Sequence, residues 1–200
     1  MEASVIYLVR GADESLVEAV LLDDLDKPHL EQLEATWAPV VEQVKRTTPR
    51  DRWPEDWHWN WRDKLSHAHQ TFGQRGFCIT CEGGLQGAML VDLASLSNKG
   101  TRSVLYVDYL AVAPWNRSAI QTPKRFKAVG GTLIAAAVQL SIDEGFKGRI
   151  GLHSLPGARR FYEKNCGMTI IGPDPQKQNL TYYEFTSEQA NAFLAKPLTK

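Results

Sequence analysis

The chain has 200 residues, of which 43% are hydrophobic and 23% are charged, so it can bury a core without disulfide bonds. Lysine plus arginine number 23, as do aspartate plus glutamate, and this balance excludes the overall positive charge typical of nucleic-acid-binding proteins. No run approaches about 18 consecutive apolar residues and the N-terminal sequence does not resemble a secretory signal, so we expect a cytoplasmic protein without a membrane helix.

The first part of the sequence predicts a strand followed by helices. Residues Ser4–Arg10 are β-branched and apolar, as in a strand. A long stretch with helical periodicity follows, and an apolar stripe between His29 and Arg46 predicts a helix that Pro39 should kink or split. Residues 47–70, which we call the tryptophan-rich segment, begin as a loop and become helical from about Asp56. Residues 28–75 are therefore expected to form one extended region that is helical and rich in tryptophan.

The remainder of the sequence predicts most of a sheet. The elements expected in chain order are strands Phe77–Cys81 and Leu85–Leu93 joined as a hairpin, a polar loop Ser95–Arg102, a central strand Ser103–Ala113, a helix Gly130–Glu144, a strand Arg149–His153, a short helix opened by Pro156, strands Met168–Ile171 and Thr181–Phe185, and a final helix Ser187–Leu194. Together they indicate one α+β domain over residues 1–200, with a central mixed, mostly antiparallel sheet of six to seven strands and helices on both faces.

A helix start rich in small residues carries the most chemical information. Near Val129, Gly130 and Gly131 no bulky side chain shields the backbone, so the amides of the first helical turn can face an anion. The helix dipole adds roughly half a positive charge there, and a pyrophosphate suits such a site. Arg125 and Lys127 precede the helix and could pair with phosphate oxygens. The alternative is a glycine-softened helix start beside solvated cations.

Two motifs resemble those of the GNAT superfamily of acetyl-CoA-dependent N-acyltransferases. The run RFKAVG, from Arg125 to Gly130, is similar to the coenzyme A loop of that family, Arg/Gln-x-x-Gly-x-Gly/Ala. The run ARRFYEKNCGM, Ala158–Met168, looks like the family's A-x-x-FY-x-x-x-GF signature. Because both motifs occur in the family's order and at its separation, the resemblance covers a third of the chain by motif and most of the rest by the order of elements.

The sequence departs from the family pattern at several places. In the second motif, four residues separate Tyr162 from Gly167 where the signature has three, and Met168 stands for the final phenylalanine. Ala128 stands at the position of the first loop glycine, and Leu155 stands where the family often has an asparagine that contacts the cofactor. Residues Ser118–Lys124 lengthen the loop that precedes Arg125, so that Arg117 holds the position at which a shorter loop would place its arginine.

The resemblance implies a GNAT-like fold and the transfer of an acetyl or other acyl group from coenzyme A to a primary amine of a small molecule, peptide or protein. It implies acetyl-CoA or another acyl-CoA as co-substrate, with no metal, no membrane and no nucleic acid, and it leaves a homodimer open. A toxin-like acetyltransferase acting on aminoacyl-tRNA and a non-catalytic acyl-CoA-binding module are the alternatives. The cofactor-binding residues that it implies are Leu110, Ala111, Val112, Arg125, Phe126, Lys127, Ala128, Val129, Gly130, Gly131 and Thr132.

Acyl transfer to an amine requires a base and an acid. A lysine-like amine is neutral in only about one molecule in a few thousand at pH 7, so a base matters. Asp108 lies in an apolar strand, where a carboxylate is costly without a purpose, and strand alternation places it on the face of Tyr106, Leu110 and Val112. The resemblance implies that Asp108 is the base and Tyr162 the acid that protonates the leaving thiolate. A structural aspartate and a core tyrosine are the alternatives.

Weaker signals concern the acceptor side and metals. His153, at a strand end, is an alternative base or a substrate contact. Trp57 and Trp61 are candidate substrate-binding residues, with simple packing of an added helix as the alternative. Cys78 and Cys81 have a C-x-x-C spacing, but residues three apart in a strand face opposite sides, so no metal site is predicted.

Overall fold

The computed structural model describes residues 3–95 and 103–196, so the predicted loop Ser95–Arg102 lies outside the described residues except at Ser95. Within these ranges there are nine strands, four α-helices and one short π-helix. The strands are β1 Ala3–Arg10, β2 Leu16–Leu22, β3 Gln74–Cys81, β4 Gly84–Asp92, β5 Leu105–Val112, β6 Phe126–Lys127, β7 Ile150–Ser154, β8 Thr169–Asp174 and β9 Leu180–Glu184. The helices are α1 Lys27–Thr47, α2 Trp61–Gln70, α3 Val129–Asp143 and α4 Ser187–Leu194, with the π-helix at Phe161–Cys166.

All nine strands form one mixed sheet in the order β6-β1-β2-β3-β4-β5-β7-β9-β8. Each neighbouring pair is antiparallel except β5 and β7, which are parallel. The α+β class and the mixed, mostly antiparallel sheet are confirmed, but the prediction of six to seven strands is wrong.

Strands β2 and β6 are the two that the sequence did not reveal. The run LVEAVLL, Leu16–Leu22, is almost uniformly apolar and lacks the alternation of a half-buried strand, although it pairs with β1 along its whole length. Strand β6 has two residues and exists because it pairs with Val9 and Arg10 of β1. Such a short, long-range pairing leaves no periodic signal in the sequence.

The helices cover both faces of the sheet, as predicted. One buried cluster includes apolar residues of α3 and α4, and the other includes those of α1 and α2. Gly87 of β4 permits the close contact of α3 with the sheet, because a Cβ at this position would lie 2.7 Å from Cγ1 of Val129 and 3.0 Å from Cδ1 of Leu133. The first turn of α3 is thereby held beside the middle of the sheet.

Two helix boundaries differ from the predictions. Pro39 does not split α1, which continues to Thr47; the proline lies on the exposed side, where water can bind the carbonyl that loses its partner. Helix α2 begins at Trp61 and not near Asp56, because the side chain of Asn60 caps it by accepting from the amide of Asp63 at 3.2 Å. Among the described helices, none combines the length and the apolar character needed to cross a membrane.

Candidate active site

Strand β5 has a strand partner on both sides only in its first part. Three residue pairs join it to β7, of which the last is Val107 with Leu152. Strand β4 accompanies β5 as far as Val112, whereas the end of β7 continues alongside β9. Within the described residues, the edge of β5 from Asp108 to Val112 therefore has no strand partner on the β7 side. We call this gap between β5 and β7 the opening.

The amides of Leu110 and Val112 point into the opening. The amide of Ala113 donates to the carbonyl of Gln86, beside β4, at 2.9 Å. Because successive amides of a strand point to alternate sides, those of Leu110 and Val112 are directed away from β4. The edge of β5 thus offers two hydrogen-bond donors to a ligand that lies along it.

A β-bulge changes the direction of the side chains along β5. The pairing with β4 passes from Tyr109 to Val107 and omits Asp108. Leu110 and Val112 consequently pack against the α3 cluster, whereas Tyr109 packs against the cluster of α1 and α2. The expectation that Asp108 shares a face with Leu110 and Val112 is wrong, because the extra residue shifts the alternation between them.

Asp108 lies on the side of α2 and has few hydrogen bonds. Its Oδ2 accepts from Nε2 of Gln74 at 3.1 Å. The pKa of Asp108 is raised to about 6, chiefly by burial and secondly by the neighbouring Asp92, against the opposing effect of nearby positive charge. The groups that supply this positive charge are Lys177, His67 and Lys64. A carboxyl with such a pKa is ionised at neutral pH and close enough to neutrality to take up a proton.

Tyr162 lies on the opposite face, in the cluster beneath α3. Its side chain is 7% exposed, and its ring centroid lies 5.1 Å from that of Phe161 and 6.0 Å from that of Tyr183. Burial raises the pKa of the phenol further above its ordinary value, so Tyr162 keeps its proton. In the part of the chain that the structure describes, its hydroxyl has no hydrogen-bond partner. Its role as the acid stays a prediction.

His153 is occupied on both ring nitrogens. The hydroxyl of Tyr106 lies 2.6 Å from Nδ1, and Oδ2 of Asp174 lies 3.0 Å from Nε2. These partners assign the proton to Nε2, which donates to Asp174, while Nδ1 accepts from the tyrosine. Burial lowers the pKa of His153 against the opposing effect of Asp174. The arrangement disfavours His153 as a direct base, because no ring nitrogen is left to accept a proton from a substrate.

The entrance to α3 has the conformation that the sequence motif requires. Ala128 adopts φ 67° immediately before the helix, a left-handed conformation that glycine adopts without strain. The first amide bonded back to the entrance is that of Thr132, which donates to the carbonyl of Ala128 at 2.9 Å. Among the described residues, the amides of Val129, Gly130 and Gly131 have no acceptor. We call these three amides the cradle.

The cradle lies beside the opening. A Cβ at Gly130 would lie 3.4 Å from the ring of Phe161 and 3.7 Å from Cγ1 of Val112, at the end of β5. The cations before the helix are held by carboxylates: Arg125 donates to Glu82 at 2.9 Å, and Lys127 pairs with Glu14. The cradle and the unpaired edge of β5 are therefore adjacent.

Comparison with solved structures identifies the fold. The GNAT domain of PAT from S. lividans has a TM-score of 0.57 and 15% identity, over 92% of this chain and 96% of that one. The PaiA N-acetyltransferase from Thermoplasma acidophilum, in complex with coenzyme A, has a TM-score of 0.53 and 13% identity, over 83% and 97%. FeeM, an N-acyl amino acid synthase from uncultured soil microbes, has a TM-score of 0.56 and 10% identity, over 88% and 94%.

This chain has the GNAT fold. At such low identities the similarity concerns the fold alone. No protein-family model matches the sequence, and no curated protein matches it either.

Within this GNAT fold, Arg117 has a structural partner in place of a phosphate. Its guanidinium makes two hydrogen bonds to the carboxylate of Asp56, at 2.7 and 2.8 Å, and Nε donates to the carbonyl of Val112 at 2.8 Å. The pair is largely buried, with side-chain exposures of 20% and 15%. Arg117 therefore fastens the tryptophan-rich segment to the end of β5, which the sequence did not reveal.

The two tryptophans predicted to contact substrate line a small cavity, together with Arg117. Trp61 is buried and belongs to the α1 and α2 cluster, whereas Trp57 is 40% exposed. The cavity measures about 100 Å³ and its other walls come mainly from α1 and the tryptophan-rich segment. It is large enough for a few heavy atoms and not for an extended substrate. The substrate role of Trp57 and Trp61 stays a prediction.

A buried polar network, also missed from sequence, fixes the loop that leads to the cradle. Asn116 donates to Oε1 of Gln86 at 3.1 Å and accepts from the amide of Phe126 at 2.8 Å. The indole of Trp115 donates to the same Gln86 oxygen at 2.8 Å. The backbone carbonyl of Trp115 accepts from the amide of Arg125. The two ends of the Ser118–Lys124 loop are thus held together. The available signal in the sequence was Gln86, because a glutamine in an apolar strand must find hydrogen-bond partners when it is buried.

The cysteine pair behaves as the sequence indicates. Cys78 belongs to the α1 and α2 cluster and Cys81 to the α3 cluster, so the two face opposite sides of β3. Both are free thiols. Over the described residues there is no group of three or more histidines, cysteines or carboxylates that could hold a metal ion.

Proposed function

We propose that the protein transfers an acetyl or other acyl group from coenzyme A to a primary amine, with residues 1–200 acting as one GNAT-like domain. The observation that carries the proposal is the alignment of the unpaired edge of β5 with the cradle at the start of α3. One binds an extended, amide-containing arm and the other binds a diphosphate, and coenzyme A contains both groups in that order.

The residues beside the opening have the properties that the reaction needs. Asp108 accepts a proton from the ammonium of the acceptor, directly or through water, because its pKa of about 6 leaves it ionised at neutral pH. The amides of Leu110 and Val112 donate to the carbonyl oxygen on which negative charge develops. Tyr162 holds a proton that it delivers to the departing thiolate. Asp108 and Tyr162 act from opposite faces of the sheet, so they do not compete for the same proton.

The fold neighbours support acyl-CoA as the co-substrate. PaiA, with which the chain shares its fold, is an N-acetyltransferase in complex with coenzyme A. The aminoacyl-tRNA alternative is disfavoured by the ion pairs of Arg125 and Lys127, since cations already held by Glu82 and Glu14 form no free basic patch. The non-catalytic alternative is disfavoured by Asp108, because a buried carboxylate has no value to a module that only binds.

The proposal is tested by calorimetry with a pair of thioesters. We expect acetyl-CoA to bind with 1:1 stoichiometry, and S-acetylpantetheine, which lacks the diphosphate, to bind at least about 100-fold more weakly, because the cradle would then have no anion. Release of free thiol in the presence of an amine then measures transfer. A protein that gives no heat with any acyl-CoA contradicts the proposal.

A further inference from the structure

Two lysines from distant elements lie over the two tyrosines that flank Asp108. Nζ of Lys64, on α2, lies 3.5 Å from the ring centroid of Tyr109 and 5.3 Å from that of Trp59. Nζ of Lys177, in the connection between β8 and β9, lies 5.9 Å from the ring centroid of Tyr106. Two positive charges from different elements therefore lie near Asp108.

Neither Lys64 nor Lys177 forms a close ion pair in the described part of the chain, although the charges of both act on Asp108 at longer range. Two other carboxylates nearby accept hydrogen bonds from other donors. Asp92 accepts from the amide of Ala94 at 2.7 Å, and Asp174 accepts from His153. Aromatic faces attract an ammonium but carry no net charge, so they hold the ammonium in position without neutralising its charge.

A contrasting lysine shows what a purely structural arrangement looks like. Nζ of Lys45 lies 5.2 Å from the ring centroid of Trp53 and 4.8 Å from that of Trp57, and it also pairs with Glu42 at 2.6 Å. There the aromatic contacts and the counter-ion occur together. At the Asp108 site similar aromatic contacts occur without a close ion pair to either lysine within the described residues.

We infer that the acceptor is an amine that carries its own anionic group, a carboxylate in the simplest case of a free amino acid, and that Lys64 and Lys177 bind this group while the amine faces Asp108. The inference rests on the proposed function and names its acceptor class. An acceptor of this kind brings both signs of charge to a site that presents both. A simple alkylamine would leave the two lysines without a partner.

The test compares amines that are matched in chain length and differ in the anion. The acceptors are the ω-amino acids from glycine to 6-aminohexanoate, the n-alkylamines of the same chain length, and O-phosphoethanolamine beside ethanolamine, each assayed by thiol release from acetyl-CoA. We expect the KM of the alkylamine to exceed that of the best amino acid by about ten-fold or more, because a charge-assisted hydrogen bond is lost. The phosphate pair distinguishes a phosphorylated amine from an amino acid as the preferred source of the anion.

The double variant Lys64→Gln/Lys177→Gln connects this preference to the two lysines. We expect the KM ratio of alkylamine to amino acid to fall to near one in this variant and to remain unchanged in the control Lys45→Gln. Equal KM values for both classes in the wild type, an unchanged ratio in the double variant, or acetyl-CoA binding without turnover of any anionic amine each overturn the inference and leave acyl-CoA binding intact. Absence of acetyl-CoA binding overturns the proposed function itself.

Discussion

The two faces of the sheet at the opening differ in what burial does to their ionisable groups. On the α2 face, burial raises the pKa of Asp108 to about 6, toward neutrality, and lysines surround the site. On the α3 face, burial raises the pKa of Tyr162 away from neutrality, among apolar neighbours. The same physical cause therefore prepares one group to take a proton and the other to keep one. The bulge in β5 is what separates the face of Asp108 from that of Leu110 and Val112.

The largest effect is expected from removing the base on the α2 face. We predict that Asp108→Asn lowers kcat/KM by about 10² to 10⁴, because the amide keeps the shape but cannot accept the proton. In the wild type, kcat/KM should rise with pH through about 6, where the carboxyl ionises, and this limb should be absent in the variant. An identical pH profile in both proteins would transfer the role of base to a bound water.

The same variant should be more stable than the wild type at neutral pH. The pKa of Asp108 in the folded protein exceeds its ordinary value of 3.8, so the folded state binds the proton more tightly and loses stability as pH rises from about 4 through about 6. Asparagine removes this cost, which is on the order of 3 kcal/mol. Urea unfolding at pH 5 and pH 8 measures it, and a less stable variant at pH 8 would show that the carboxylate has a structural role.

A smaller effect is expected from the proton donor on the α3 face. We predict that Tyr162→Phe lowers kcat by about ten-fold or more and changes acetyl-CoA affinity little, because the ring remains and only the proton is lost. The matched control is Tyr183→Phe, whose hydroxyl donates to Glu163 at 2.7 Å in the same cluster. If both variants kept the wild-type rate, Tyr162 would be a core aromatic and no acid.

The sequence predicted the start of α3 better than it predicted the surroundings of Asp108. The cradle depends on a local pattern of small residues at a helix start, so it is visible over a few positions. The sequence placed Ala128 at the position of the first loop glycine, and the structure shows that φ is positive there. The face of Asp108 could not be predicted, since a one-residue bulge in the pairing with β4 leaves no trace in the composition of β5.

Besides the face of Asp108, the sequence did not reveal the long-range polar contacts. Arg117 and Asp56 are 61 positions apart and form a bidentate pair that fixes the tryptophan-rich segment. Each residue alone is an ordinary charged loop residue, so the sequence does not indicate that the two form a pair. The strand count failed in part for the same reason, because β6 depends on a partner more than a hundred residues away.

The smallest effect, and the finest test of the α3 face, concerns the residue that begins the cradle. Ala128 has φ 67°, a conformation that costs an L-residue roughly 1 kcal/mol and costs glycine nothing. Glycine also loses more entropy on folding, so we predict that Ala128→Gly changes stability by less than about 1 kcal/mol and keeps acetyl-CoA affinity. Ala128→Val should lower both, because a β-branched residue tolerates positive φ poorly. Urea midpoints and calorimetry measure the pair, and a valine variant with wild-type values would mean that the cradle does not depend on this backbone turn.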